Sequence, residues 1–473
     1  MPEFDAETQN LDKRHFPWKL ALSLYGLSNV LTLLFLKAYF WDDWFIYYTK
    51  TATETKDALR QVGHWPIHSI FQVDLLTRQP SLFRVIAVLC FFFAGWYLFQ
   101  ILGTIKTLSS DQARLITILF LILPINSARV SMSVFVYSYS LLLFYFAWYL
   151  LVTKQSRFIW LLSIPLFLMS FSTVALLAFF VVPCVHLLYL KLSEHPDKRR
   201  IAYVTSALFA SLAPLYWLVD RRYNPPLGAY LTMYTPQKLG VFRALILLFI
   251  CAVMIYWLVR SRNHPNFEFK RFAIIVSGIT IIVVGASPYI VGGHLVDISD
   301  WMIAFVPRSS DWDSRHQLLL GLGIAVTIAG IVGPINSTFK RQCIVALFAL
   351  CVVWNVTYMH SYFLDSLKQD QIVEAFERSS DLNESKIIMI DDTTDRYNAR
   401  GRFVRSYEWE GMLTKAIGEN SRSVISGKTY IDCSDPLIPD TLVTITARNG
   451  RIESTLTRDL GIEIFVASIH PCG

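Results

Sequence analysis

Apolar runs of roughly 20 residues recur along this chain, the length at which a helix crosses the hydrocarbon core of a bilayer. VIAVLCFFFAGWYLFQILG (85–103) is one of them. A backbone in lipid must satisfy its own N–H and C=O groups, so such runs fold as helices and not as irregular chain. Composition agrees: 54% of the 473 residues are hydrophobic and only 17% are charged, with a mean hydropathy of +0.42. Soluble domains carry about 25% charged residues. The fold class expected is an α-helical polytopic membrane protein of about 11 transmembrane helices. The runs lie at 18–38, 82–104, 113–128, 138–153, 158–172, 174–190, 201–219, 241–259, 272–292, 317–335 and 342–359.

Basic residues set the expected orientation. Lys13/Arg14, Lys106/Arg114, Lys154/Arg157, Lys191 with Lys198–Arg200, Arg260 to Arg271 and Lys340/Arg341 fall on alternate connections. Placed inside by the positive-inside rule, they make 1–17 a cytoplasmic N-terminal segment and leave the C-terminus external. The first run then serves as a retained signal anchor. Basic stretches on both sides of 158–190 favour a hairpin turning near Phe171-Ser172-Thr173 over one long span. The net charge of +7 is accounted for by these loops, which argues against a nucleic-acid partner. External connections follow at 39–81, 129–137, 220–240 and 293–316. The first carries an amphipathic stretch suited to lying along the membrane surface.

From 360 to 473 the pattern changes. ESKIIMIDDT (384–393) reads as a buried strand, EWEGMLTKAIGENSR as an amphipathic helix, and 441–456 as a hairpin turning at Asn449-Gly450. A small C-terminal extracytoplasmic α/β domain of roughly 100 residues follows the transmembrane domain of 18–359. Cys90, Cys184, Cys251, Cys343 and Cys351 lie in apolar runs as packing residues, while Cys433 and Cys472 are free to pair in an oxidising compartment.

Chemistry concentrates at external connections. In KAYFWDDWFIYY (37–48), Asp42 and Asp43 stand between tryptophans directly after the first span. They read either as an interfacial boundary, with Trp41 and Trp44 in an aromatic belt, or as a carboxylate base with a neighbour that positions it or binds a cation. In AFVPRSSDWDSRHQLLLGLG (304–323), Arg308, Arg315 and His316 stand at the mouth of a span, and the guanidinium fork suits a phosphate. In DRRYNPPLGAYLTMY (220–234), Arg221 and Arg222 suit a phosphate, and Tyr223, Tyr230 and Tyr234 can stack on a sugar. The alternative for the first is local pairing of Arg with Asp plus interfacial snorkelling, and for the second an ordinary interfacial loop with a tyrosine belt. With Trp44, the residues His64, Trp65 and His68 suit a substrate pocket; Pro66 between the histidines argues against zinc. Arg129 and SMSVFVYSYS form a further polar patch that lines a cavity or packs, and Glu408 and Glu410 read as structural or solvent-facing, with a role over the active site as the alternative. No P-loop, dinucleotide fingerprint, zinc-protease motif or nucleophile elbow occurs, which disfavours ATP-driven transport and cytosolic nucleotide-sugar chemistry.

A first span ending in an acidic pair, a long first external loop, many further spans and a small external C-terminal domain together resemble the GT-C superfamily of integral-membrane glycosyltransferases. RSYEWEGMLTKAIGE and SDWDSRHQLLLGLG are also similar to segments of bacterial membrane proteins near that superfamily. The resemblance implies a bacterial inner-membrane enzyme that moves a sugar from a polyprenyl-phosphate donor to a hydroxyl of a glycan, lipid or protein acceptor on the external face. Asp42 or Asp43 would be its base. No cofactor is required, although Mg or Mn fits beside Asp42/Asp43. The alternatives are a flippase for a lipid-linked glycan and a non-catalytic assembly subunit. Charges crowding the external mouths, with no visible repeat, favour the enzyme.

Overall fold

The computed structural model describes residues 15–44, 48, 80–132, 134–153, 157–173, 175–194, 199–223, 267–291, 317–335, 337–383, 385–418, 423–426, 441–447 and 462–468. The apolar runs within them are helical: α1 (Trp18–Asn29, continued by a 3-10 segment Val30–Phe35), α2 (Pro80–Gly103), α3 (Ser110–Ile122), α4 (Phe135–Thr153), α5 (Arg157–Ser170), α6 (Ala175–Phe179), α7 (Val181–Glu194), α8 (Arg199–Ala210), α9 (Leu212–Tyr223), α10 (Phe267–Val291), α11 (Leu320–Val332) and α12 (Thr338–Glu377). Among the described residues, six stretches are long and apolar enough to cross a membrane: Trp18–Phe35, Ser81–Gly103, Phe135–Thr153, Ala175–Leu192, Glu268–Pro288 and Thr338–Glu377. Phe158–Ser170, Tyr203–Val219 and Leu320–Val332 are apolar but shorter, and the run 241–259 lies outside the described residues. Leu33, Phe158, Leu208, Val345 and Leu350 are each more than half exposed, an apolar exterior suited to lipid.

Local chemistry explains where the helices start and break. Ser109 accepts from the Gln112 N–H at 3.2 Å while its own N–H donates to Gln112 Oε1 at 3.0 Å, a reciprocal cap that starts α3. α3 is buried on every side from Leu115 to Ile122, so it is the central helix of the bundle. The chain breaks at 171–173, where the hairpin turn is expected, and the Phe167 and Phe180 rings meet across the break at 4.8 Å. The run 201–219 is helical with a local irregularity at Ser211, where Pro214 has no N–H to return to the preceding turn; the Ser211 N–H still donates to the Ala207 carbonyl and the Leu215 N–H to that of Ser211. α9 then continues through Arg221 and Arg222, so 220–223 are helical and not the opening of a loop. α10 and α11 touch backbone to backbone: a Cβ on Gly278 would lie 2.5 Å from the Thr327 nitrogen, and one on Gly323 2.6 Å from that of Ile282. Small residues permit this approach where lipid supplies no hydrophobic drive between helices. Cys90, Cys184 and Cys351 are buried as expected; Cys343 is exposed on α12, so it is not a packing residue, and Cys251, Cys433 and Cys472 lie outside the described residues.

α12 has 40 residues, which at ~1.5 Å each is about twice the ~30 Å hydrocarbon thickness. Its apolar part ends near Met359, and the remainder leaves the bundle without a break to bury Ile372, Val373 and Phe376 in the C-terminal domain. The change of character expected at 360 therefore falls inside one continuous helix. β1 (Ile387–Asp392), α13 (Ser406–Ile417), β2 (Ser423–Ser426), β3 (Thr441–Ala447) and β4 (Ile462–Ser468) complete the domain. The sheet order is β2-β1-β3-β4, with β1 parallel to β2 and β3, and β3 antiparallel to β4. Ile388 and Ile390 alternate into the core as the strand period requires. The hairpin expected over 441–456 is corrected. β3 pairs with β1 on one side and with 462–468 on the other, Thr441 opposite Ser468, so both of its edges are taken, and Asn449-Gly450 lie outside the described residues.

Candidate active site

The segment 39–44 ties the bundle to the C-terminal domain. Phe40 and Trp41 pack with Phe35, Ala128, Val130, Tyr358 and Tyr362 at the bundle's end. Trp44 instead enters the core of the C-terminal domain among Phe376, Ile388, Trp409 and Met412, and its Nε1–H donates to Gln369 Oε1 at 2.9 Å. The tryptophans therefore do not form a lipid-facing belt, and Trp44, 1% exposed, offers no face to a substrate. Trp41 has φ +52°, a left-handed conformation that costs a bulky residue on the order of 1–2 kcal/mol. Two contacts hold it there: its N–H donates to Glu408 Oε2 at 3.0 Å, and the Arg402 guanidinium lies over its ring at 5.4 Å.

The turn that follows, Asp42–Trp44, sends the two carboxylates to different partners. Asp43 is fully buried. Its Oδ2 accepts from the Phe40 N–H at 3.1 Å and the Met132 N–H at 3.0 Å, and its Oδ1 from the Ser131 hydroxyl at 2.8 Å. It clamps the first loop to the connection between α3 and α4. Asp42 is only partly buried, and its Oδ1 accepts from the Tyr407 hydroxyl of α13 at 3.1 Å. Burial, and then the charge of Asp42, raise the Tyr407 pKa, so its phenol stays a proton donor to that carboxylate. Among the described residues no group of three His, Cys, Asp or Glu is placed to hold a metal ion. With three hydrogen bonds already on Asp43, a cation beside the pair would be bound through Asp42.

Behind the turn lies an ionic network absent from the sequence reading. Arg402 is 2% exposed; its Nε donates to Asp365 Oδ2 at 2.6 Å, and its Nη1 to both oxygens of Glu408 at 2.9 and 2.7 Å. Glu408, expected to be structural or solvent-facing, is wholly buried and structural, and Glu410 accepts from the Val424 N–H at 3.2 Å to hold β2. Asp365 also accepts from the Ala399 N–H and from Gln369, and so reaches Trp44 through that amide. Lys368, 1% exposed, donates to Asp392, Asn398 and the Thr394 carbonyl. On the bundle side, Arg84 gathers the carbonyls of Phe35, Leu36 and Ala38, which end the first span, together with that of Val130, at 2.6–2.8 Å. The only sequence signal for these residues was their charge within otherwise apolar surroundings.

Of the other expected site residues, Arg222 is exposed at the C-terminal end of α9, and Arg221 and Tyr223 share its helical turn. Arg308, Arg315, His316, His64, Trp65, His68, Tyr230 and Tyr234 lie outside the described residues. Arg129 does line a cavity, one shared with Tyr25, Asn29 and Arg84. Fold and site together define a mostly helical chain with six helices able to cross a membrane among the described residues, whose small C-terminal sheet domain clasps an acidic turn at one end of the bundle. No protein-family model, no curated protein and no solved structure matches the chain.

Proposed function

We propose that the chain is an integral-membrane glycosyltransferase of GT-C type that moves a sugar from a polyprenyl-phosphate donor to a hydroxyl acceptor at the end of the bundle where the C-terminal domain sits. The observation that carries this reading is the division of labour in the acidic pair. Asp43 is consumed by three hydrogen bonds, whereas Asp42 is a partly exposed carboxylate on a turn that is otherwise buried. A rigid carrier with one accessible carboxylate suits a general base. Asp42 takes the proton of the acceptor hydroxyl as its oxygen bonds to the sugar's anomeric carbon. The bond from that carbon to the phosphate oxygen breaks, and the polyprenyl phosphate leaves with the electron pair. Arg221, Arg222, Arg308, Arg315 and His316 are the candidates to neutralise it. Asp43 positions the turn. The alternating basic connections favour an external position for this end by the positive-inside rule, and on that orientation a lipid-linked donor is accessible where a cytosolic nucleotide sugar is not.

The test is sugar transfer from a panel of polyprenyl-phosphate sugars by the full chain in proteoliposomes. Asp42→Asn is expected to lower transfer by about 10²-fold or more with unfolding unchanged. Asp43→Asn is expected to lower transfer and the unfolding temperature together. Full transfer by Asp42→Asn removes the base assignment, and wild-type protein inert with every donor removes the enzyme.

A further inference from the structure

Beside the connection between α3 and α4, a small open cavity of about 10 Å³ lies between α1, α2, α4 and α12. Two guanidinium groups line it, those of Arg84 and Arg129, and no carboxylate does among the described residues. The Arg84 guanidinium already donates to four main-chain carbonyls. Arg129 is different. Its guanidinium lies over the Phe91 ring at 5.5 Å, and among the described residues no hydrogen bond or ion pair reaches it. Ser138, 3% exposed, brings to the same cavity a hydroxyl with no side-chain hydrogen bond described. Ala87, Val88 and Met359 make the rest of the lining apolar.

Arg129 is partly buried in this cavity with no counter-ion among the described residues, and ionisable groups in membrane bundles mark ligand sites by default. Its planar fork fits an oxyanion through two parallel charge-assisted hydrogen bonds. An apolar wall beside the fork fits the carbon side of an ester. We propose that Arg129 and Ser138 form a binding site for the phosphoryl group of a phosphate ester, with Arg84 contributing positive potential and no free donor. The proposal does not depend on the glycosyltransferase reading, and its readout is binding, not sugar transfer.

The experiment uses the full chain, delipidated in neutral detergent, with the thermal unfolding midpoint as readout. Inorganic phosphate is titrated against chloride at matched ionic strength. In parallel, the protein is placed in nanodiscs of phosphatidylglycerol or of phosphatidylcholine. The variants are Arg129→Met, Arg129→Lys and Ser138→Ala, with Arg378→Met, an exposed partner of Glu374, as the charge-matched control. Phosphate or phosphatidylglycerol is expected to raise the wild-type and control midpoints by several degrees. Arg129→Met should abolish that rise, while Arg129→Lys and Ser138→Ala reduce it. A rise with free phosphate marks a soluble phosphoryl ligand, and a rise confined to phosphatidylglycerol marks a lipid headgroup. Without ligand, Arg129→Met should melt no lower than wild type, because a partly buried charge with no ion pair among the described residues has been removed. An Arg129→Met protein that melts lower or fails to fold makes Arg129 structural and overturns the proposal. So does one that keeps the full ligand-induced rise, or a wild type that rises with neither phosphate nor phosphatidylglycerol.

Discussion

Two arginines within this molecule are treated in opposite ways. Arg402, at the junction of the acidic turn and the C-terminal domain, is saturated by Asp365 and Glu408, and those carboxylates accept in turn from the N–H groups of Ala399 and Trp41. Arg129, in the cavity of the bundle, lies over the face of Phe91 and has no ion pair among the described residues. The junction spends its charges on one another and so fixes a geometry, including the left-handed Trp41, that nothing local would choose. The cavity leaves a charge available to something from outside. In a chain with this much apolar surface, the partners of a buried charge separate structure from binding better than burial alone does.

Removing Arg402 is the largest way to break the contrast. Arg402→Met strips the guanidinium from two buried carboxylates and is expected to destabilise the junction by about 3–5 kcal/mol. Far-UV circular dichroism under denaturant should show a lower midpoint, and limited proteolysis should release the tail beyond α12. Unchanged stability would mean that the junction's charges are as dispensable as that of Arg129. Acid attacks the Asp365 half of this network more gently. Burial alone would raise the Asp365 pKa, but the Arg402 guanidinium beside it brings the group below its ordinary 3.8. A depressed carboxylate contributes stability that is present above its unfolded value and lost as pH falls through its folded value. This contribution should therefore hold from neutrality down to about pH 4 and disappear below 3.8, and it should be missing in Arg402→Met.

Much of the bundle was legible because hydropathy and helical length are local properties, and both the 171–173 break and the strand ending in Asp391-Asp392 follow from short windows. What escaped is long-range. The acidic pair stood out in the sequence, but Asp43's partner Ser131 is 88 residues away and Trp41's partner Glu408 is 367 away. Trp41 and Trp44 resemble an interfacial belt to any reading that stops at the end of the first span. They are buried because a tail more than 300 residues later folds back over them. Likewise α12 seems to end where its hydropathy falls, although Ile372, Val373 and Phe376 keep helical spacing beyond that point.

The next contact to test is the seat of Trp44. Gly411 of α13 faces it so closely that a Cβ would lie 2.9 Å from the Trp44 Cβ and 3.1 Å from its carbonyl oxygen. Gly411→Ala must push α13 away from the turn and is expected to cost about 1–3 kcal/mol. Tryptophan fluorescence should report a shifted environment, and the hydrogen bond from Trp44 to Gln369 should lengthen. A silent substitution would show that the junction has slack and that the ionic network alone holds it.

The smallest expected effect on stability belongs to Asp42. Asn has nearly the same shape, its amide oxygen can still accept from the Tyr407 hydroxyl, and the site is partly exposed, so water compensates for the lost charge. Asp42→Asn should therefore unfold within about 1 kcal/mol of wild type, against the several lost with Arg402. This makes it the sharpest probe of the comparison. If Asp42 is instead a structural member of the junction like Asp43, the substitution will lower the unfolding midpoint as a core mutation does, measurable in the same denaturant titration. A carboxylate whose neutralisation leaves the unfolding midpoint unchanged while sugar transfer falls would fit the proposed role of Asp42 as base.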